Sequence, residues 1–137
     1  MRNAEAVDAL ASLSEWSSPI VFDRLLDAYQ FRLGDDLGDG PTIRLLAYMH
    51  CQVWQALIGW DLARFQVLQD KLRSTLIRRN LSLNVLEMVD ADILSELLEV
   101  VMVRYRRSMD DAVSYHLALI KIAGHLKSIR YAEAPAI

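Results

Sequence analysis

Histidine, cysteine and clustered carboxylates carry most chemistry near neutral pH, and this chain is sparing with the first two: three histidines and one cysteine in 137 residues. His116 and His125 are nine positions apart, so on one helix they point about 180° away from each other and cannot hold one metal ion together. His50 stands by itself. For all three, a packed or hydrogen-bonded side chain is the expectation. Cys51 has no partner for an internal disulfide and reads as a small buried residue in a reducing cytosol rather than as a redox thiol. Asp35, Asp36 and Asp39 hint at calcium, but the third and twelfth positions of such a loop are Leu37 and Leu46, which supply no carboxylate. Asp92, Glu96 and Glu99 fall on one helical face and read as its solvated side. No glycine-rich phosphate cradle, nucleophile elbow or paired carboxylate-histidine motif is present, so the expectation is a protein that is not an enzyme and holds no metal.

The elements that position these residues are helical. Proline and glycine are sparse and clustered, and apolar residues between the clusters recur at helical spacing, with no competing strand pattern. A first helix is expected from Asn3 to about Leu13, and a second opens at Ser18-Pro19 and carries Leu25, Leu26, Tyr29 and Leu33. After the loop from Gly34 to Pro41, a third helix carries Ile43, Leu45, Leu46, Val53, Trp54 and Leu57 to a stop near Gly59. Asp61 caps a fourth with the stripe Leu62, Phe65, Leu68, Leu72 and Leu76. Ser82 caps a long helix reaching about Arg107, and Ser108 opens the last. The fold class is therefore all-α, about six helices with two long ones at the carboxyl end, in one domain covering residues 1–137 with 132–137 as a disordered tail.

The two long helices have more apolar surface than one neighbour requires. The first presents Leu86, Val89, Ile93, Leu94, Leu97, Val100 and Val101 on one face and leaves Val85, Met88 and Val103 outside it. The final helix has a core stripe of Tyr115, Leu119, Ile122, Leu126 and Ile129 and a separate stripe of Val113, Leu117, Ile120 and Gly124. Together with a hydrophobic fraction of 53% and a mean hydropathy of +0.16, the second stripe points to a homodimer in which Gly124 allows close backbone approach. A formal charge of -3 argues against nucleic acid and anionic lipid as partners. Glu87, Asp90, Asp92, Glu96 and Glu99 make the most apolar span, Leu83 to Tyr105, too costly for a membrane.

Three blocks in order give the chain a family likeness. They are Phe22-Asp23-Arg24-Leu25-Leu26; Ile43-Arg44-Leu45-Leu46 leading to Trp54-Gln55-Ala56-Leu57-Ile58-Gly59; and Arg79-Asn80-Leu81 followed by Leu94, Leu97, Leu98 and Arg104-Tyr105-Arg106. Over residues 18 to 130 the series resembles the globin domain of globin-coupled sensors and protoglobins. That resemblance implies a globin-like fold. It also implies that Leu76 stands where those sensors carry the proximal histidine, and Phe22 where they carry the distal tyrosine. Hydrocarbon at both places removes the axial donor and the distal hydrogen-bond donor that haem chemistry needs.

The reading that follows is a haem-free sensory or regulatory domain of a bacterial, cytoplasmic type. It signals to a downstream protein through the contacts of a helical dimer, with Phe22, His50, Trp54, Phe65, Leu72 and Leu76 lining a vestigial pocket that can take a small apolar ligand. Two alternatives stand beside it: a haem protein using His50 as its ligand, and a helical adaptor without ligand.

Overall fold

In a computed structural model, the described residues are 21–34, 40–104 and 108–133, and among them the only regular elements are five α-helices. These are α1 (21–34), α2 (Gly40–Ile58), α3 (Leu62–Arg78), α4 (Asn84–Arg104) and α5 (Met109–Glu133). The count of about six included the helix from Asn3 to Leu13, which lies outside the described residues, as do Ser18-Pro19, Asp35, Asp36 and Asp39. The all-α class holds, with the two longest helices at the carboxyl end. Helix α5 runs to Glu133, two residues into the stretch expected to be a tail. No described helix is long and apolar enough to cross a membrane.

Each helix buries the face its spacing dictates. On α1, Val21, Leu25, Ala28, Tyr29 and Leu33 are buried at intervals of one helical turn. Helix α2 is the central element: eleven of its nineteen residues are buried, over rather more than half of its circumference, while Arg44, Leu45, Tyr48 and Gln55 share one exposed side. It packs against α3, and α4 packs against α5. Phe65, Leu72 and Leu76 are buried on α3, and Leu86, Val89, Ile93, Leu97 and Val101 on α4. Two expectations are corrected. Val85 is buried, because Leu81 and Leu83 just ahead of it pack onto the core and draw in the first turn of α4. Leu45 faces outward, its place in the core taken by Leu46 and Ala47.

The helix ends follow from local hydrogen bonding. The Asp61 carboxylate accepts from the Arg64 backbone N–H at 3.2 Å and caps α3, and the Ser82 hydroxyl accepts from the Asn84 N–H at 3.2 Å before α4. The carboxyl ends of α2 and α3 close in the same way. Asp61 N–H reaches back to Ala56 O and Trp60 N–H to Leu57 O; Leu81 N–H reaches Leu76 O and Asn80 N–H reaches Ile77 O. This Schellman pattern needs one residue in the left-handed region, and Trp60 (φ 58°) and Asn80 (φ 57°) supply it. The stop expected at Gly59 is therefore completed one residue later, by a tryptophan whose ring packs on the core with the Lys121 ammonium 4.8 Å from its centre.

Asn80 carries no comparable packing, being exposed, and so tests the backbone alone. Asn80→Val should cost about 1–2 kcal/mol because a β-branched residue resists positive φ, whereas Asn80→Gly should be neutral or slightly stabilising. Urea unfolding of the two variants checks this, with equal midpoints as the contrary result.

Candidate functional site

The chemistry-bearing side chains meet in the middle of the helix bundle. His50 and Trp54 are four residues apart on α2 and so project from the same face. Opposite them, α4 brings Asp90, four residues after Leu86 and three before Ile93, to its buried side. Trp54 Nε1–H donates to Asp90 Oδ1 at 2.9 Å, and His50 Nε2 lies 2.6 Å from the same oxygen. On its other side His50 Nδ1 is 2.6 Å from the Tyr29 hydroxyl of α1. Tyr29, His50 and Trp54 are fully buried and Asp90 is 2% exposed.

Burial also sets the protons. It pushes the Tyr29 phenol far above its ordinary value, so the hydroxyl keeps its proton and is able to donate to His50 Nδ1. When a neutral His50 accepts at Nδ1, its one proton sits on Nε2 and is donated to Asp90. The result is a buried hydroxyl–imidazole–carboxylate series. The same order of groups activates a nucleophile in hydrolases, but here the hydroxyl is enclosed and no substrate can reach it without opening the core. Both nitrogens of His50 are engaged, leaving neither free for iron.

The six residues named as pocket-lining are gathered by the fold into, or against, a single hydrophobic core. His50, Trp54, Phe65, Leu72 and Leu76 are wholly buried there, and Phe22 packs at its margin. His50 and Trp54 are linked through side-chain hydrogen bonds to Asp90. Two clefts lie elsewhere. One, of about 320 Å³ between α1 and α4, is bordered by Arg24, Phe31, Arg32, Asp92 and Glu96; another, of about 580 Å³ beside α3, is bordered by Met49, Lys71, Ser74 and Arg78. None of the six residues lines either cleft.

The carboxylates read as a solvated face are partly engaged. Asp92 receives a two-pronged bond from Arg32, Nε at 2.9 Å and Nη2 at 3.0 Å, and Glu96 lies 3.5 Å from Arg24, so both join α4 to α1; Glu99 is exposed. Burial raises the Cys51 thiol, which suits a packing residue better than a reactive one. Among the described residues no group of three or more histidine, cysteine or acidic side chains is placed to hold a metal ion.

The outer stripe of α5 is open. Val113 is 48% exposed, Leu117 37% and Ile120 52%, and a Cβ built on Gly124 would meet nothing within 4 Å. The opposite side of the helix buries Ala118, Leu119, Ile122 and Leu126. The two stripes inferred from spacing are thus a core face and a free face.

Tyr29 and Asp90 were missed as site residues. Tyr29 counted as one apolar position in a stripe, and Asp90 as one of five carboxylates on a long helix. The signal lay in the register of Asp90, which falls on the same face as Leu86, Val89, Ile93 and Leu97, where a carboxylate requires a buried donor. No protein-family model matches the chain, and no curated protein or solved structure matches it either.

His50→Ala should destabilise the protein by about 3–5 kcal/mol, because it removes one donor from a buried carboxylate, leaves the buried Tyr29 hydroxyl without its imidazole partner and opens a cavity. Tyr29→Phe should cost only about 1–2 kcal/mol. Above a pH of about 10 the unfolded chain releases the Tyr29 proton while the folded chain retains it. The unfolded state then binds fewer protons, and stability falls as pH rises. Tyr29→Phe should accordingly lose stability less steeply, by up to about 1.4 kcal/mol per pH unit, in urea titrations at pH 9 to 11. Parallel slopes for the two proteins would contradict this assignment.

Proposed function

We propose that the chain is a haem-free regulatory domain that works through protein contacts on the outer face of α5, as a homodimer that passes a signal to a downstream protein. The observation that carries this reading is the exposed series Val113, Leu117, Ile120 and Gly124, which the fold does not need for its own core. The free face lies back to back with Ala118, Leu119, Ile122 and Leu126, so a shift of α5 against a partner is felt directly by the core. The likeness to sensor globins supplies the regulatory part of the proposal and a globin-like arrangement of the helices.

Three observations favour the haem-free form over a haem protein. Leu76, at the proximal register, is fully buried in the core. Phe22, at the distal register, has no hydrogen-bonding group. His50 has both nitrogens occupied. The input then arrives through a contacting protein rather than through a ligand held among these side chains, since five of the six are wholly buried and none of them lines either cleft.

Two experiments test the proposal. Haemin titrated into the wild-type protein should give no saturable Soret band; stoichiometric binding would restore the haem reading. Light scattering should report a dimer for the wild type and a monomer for Leu117→Glu with Ile120→Glu, with melting of the helical signal little changed. A wild-type monomer at high concentration would reject the dimer.

A further inference from the structure

We infer that the outer stripe of α5 pairs with the same stripe of a second copy in antiparallel register, with the two-fold axis passing between positions 118 and 119. This rests on the dimer reading above and adds the geometry that makes the face self-complementary. Val113, Leu117, Ile120 and Gly124 are spaced four, three and four residues apart, the alternation that keeps a seam on one side of a helix facing a partner helix. One further step outward in each direction, by three residues, reaches Asp110 and Lys127. From either end the seam reads as a charged residue, then position 113 or 124, then 117 or 120. The whole seam spans about 26 Å.

Antiparallel pairing matches this series with its own reverse. Position 110 lies opposite 127, 113 opposite 124, and 117 opposite 120, each pair occurring twice by symmetry. Asp110, which is exposed, then meets a lysine position, and the bulk of Val113 meets Gly124, where the space for a side chain is empty. Leu117 against Ile120 forms the centre. Parallel pairing would set Asp110 against Asp110 and Lys127 against Lys127, like charges at both ends of an apolar seam, with glycine opposite glycine. The amino end of each helix also lies beside the carboxyl end of its partner only in the antiparallel form, which favours the helix dipoles. Because the stripe complements itself in size and in charge sign, the occupant is a second copy of this chain.

Disulfide trapping reads the register. In the antiparallel dimer residue 113 of one copy adjoins 124 of the other, whereas residues 113 and 113, like 113 and 124 within one chain, are about 16 Å apart and too distant to bridge. Cys51 is 5% exposed on α2 and does not compete. Mild oxidation should therefore convert Val113→Cys with Gly124→Cys to a covalent dimer, while Val113→Cys alone and Gly124→Cys alone stay monomeric on a denaturing gel. Cross-linking of Val113→Cys alone would indicate parallel packing and overturn the register. So would a double variant that dimerises by light scattering without cross-linking, which would place the contact on another face. A wild-type monomer would instead mean that something other than a second copy covers the stripe, and would remove the dimer reading together with its register. As an independent check, Asp110→Lys should weaken dimerisation at least about fivefold, and adding Lys127→Asp should restore it. Failure of the reversed pair to restore association would overturn the proposal.

Discussion

Asp90 lies in the interior of α4 at 2% exposure, and a carboxylate held there has to be supplied with donors by its neighbours. Two come from α2, where His50 and Trp54 share a face because they are one helical turn apart. His50 must in turn satisfy its second nitrogen, and the Tyr29 hydroxyl of α1 does so. A single buried carboxyl group thus fixes the relative register of three helices, since a slip of one residue in any of them would strand a polar group in hydrocarbon. The Arg32–Asp92 and Arg24–Glu96 contacts between α1 and α4 run alongside it at the surface, where solvent weakens them. Apolar packing supplies the bulk of the core, and the polar series chooses which packing.

That constraint also shapes what the core can do. A hydroxyl, an imidazole and a carboxylate in series are chemically capable groups, yet each is occupied by the next and none is open to solvent. The same closure that makes the arrangement rigid keeps the histidine from a metal or a haem iron. These groups are enclosed, whereas the outer face of α5 exposes hydrocarbon. Helix α5 expresses this division in one element, with Ala118, Leu119, Ile122 and Leu126 turned inward and Val113, Leu117 and Ile120 turned out.

Much of this was legible in the sequence. Helical spacing located the four later helices, the caps at Asp61 and Ser82, and both stripes of α5, because periodicity and capping are local properties. Buried hydrogen bonds between distant residues are not local. Tyr29 and His50 are 21 positions apart and His50 and Asp90 are 40 apart, so nothing in either neighbourhood names the partner. What the sequence did hold was a contradiction, an acidic residue at a core register of α4, and such contradictions mark where a polar network has to form. The spacing of Leu76 and Leu81, five residues apart, likewise has a local cause: the Leu81 N–H bonds to the Leu76 carbonyl in the turn that ends α3.

Hydrogen–deuterium exchange of the unaltered protein, followed by mass spectrometry over a hundredfold range of concentration, tests the central claim most directly. In the proposed dimer the core is closed at every concentration and the outer face of α5 is closed by association. Protection should then grow with concentration in peptides covering Val113 to Gly124, against slow and concentration-independent exchange around His50 in α2. Exchange in α5 that does not respond to concentration, or protection that grows instead along α1 beside Arg24 and Phe31, would contradict it.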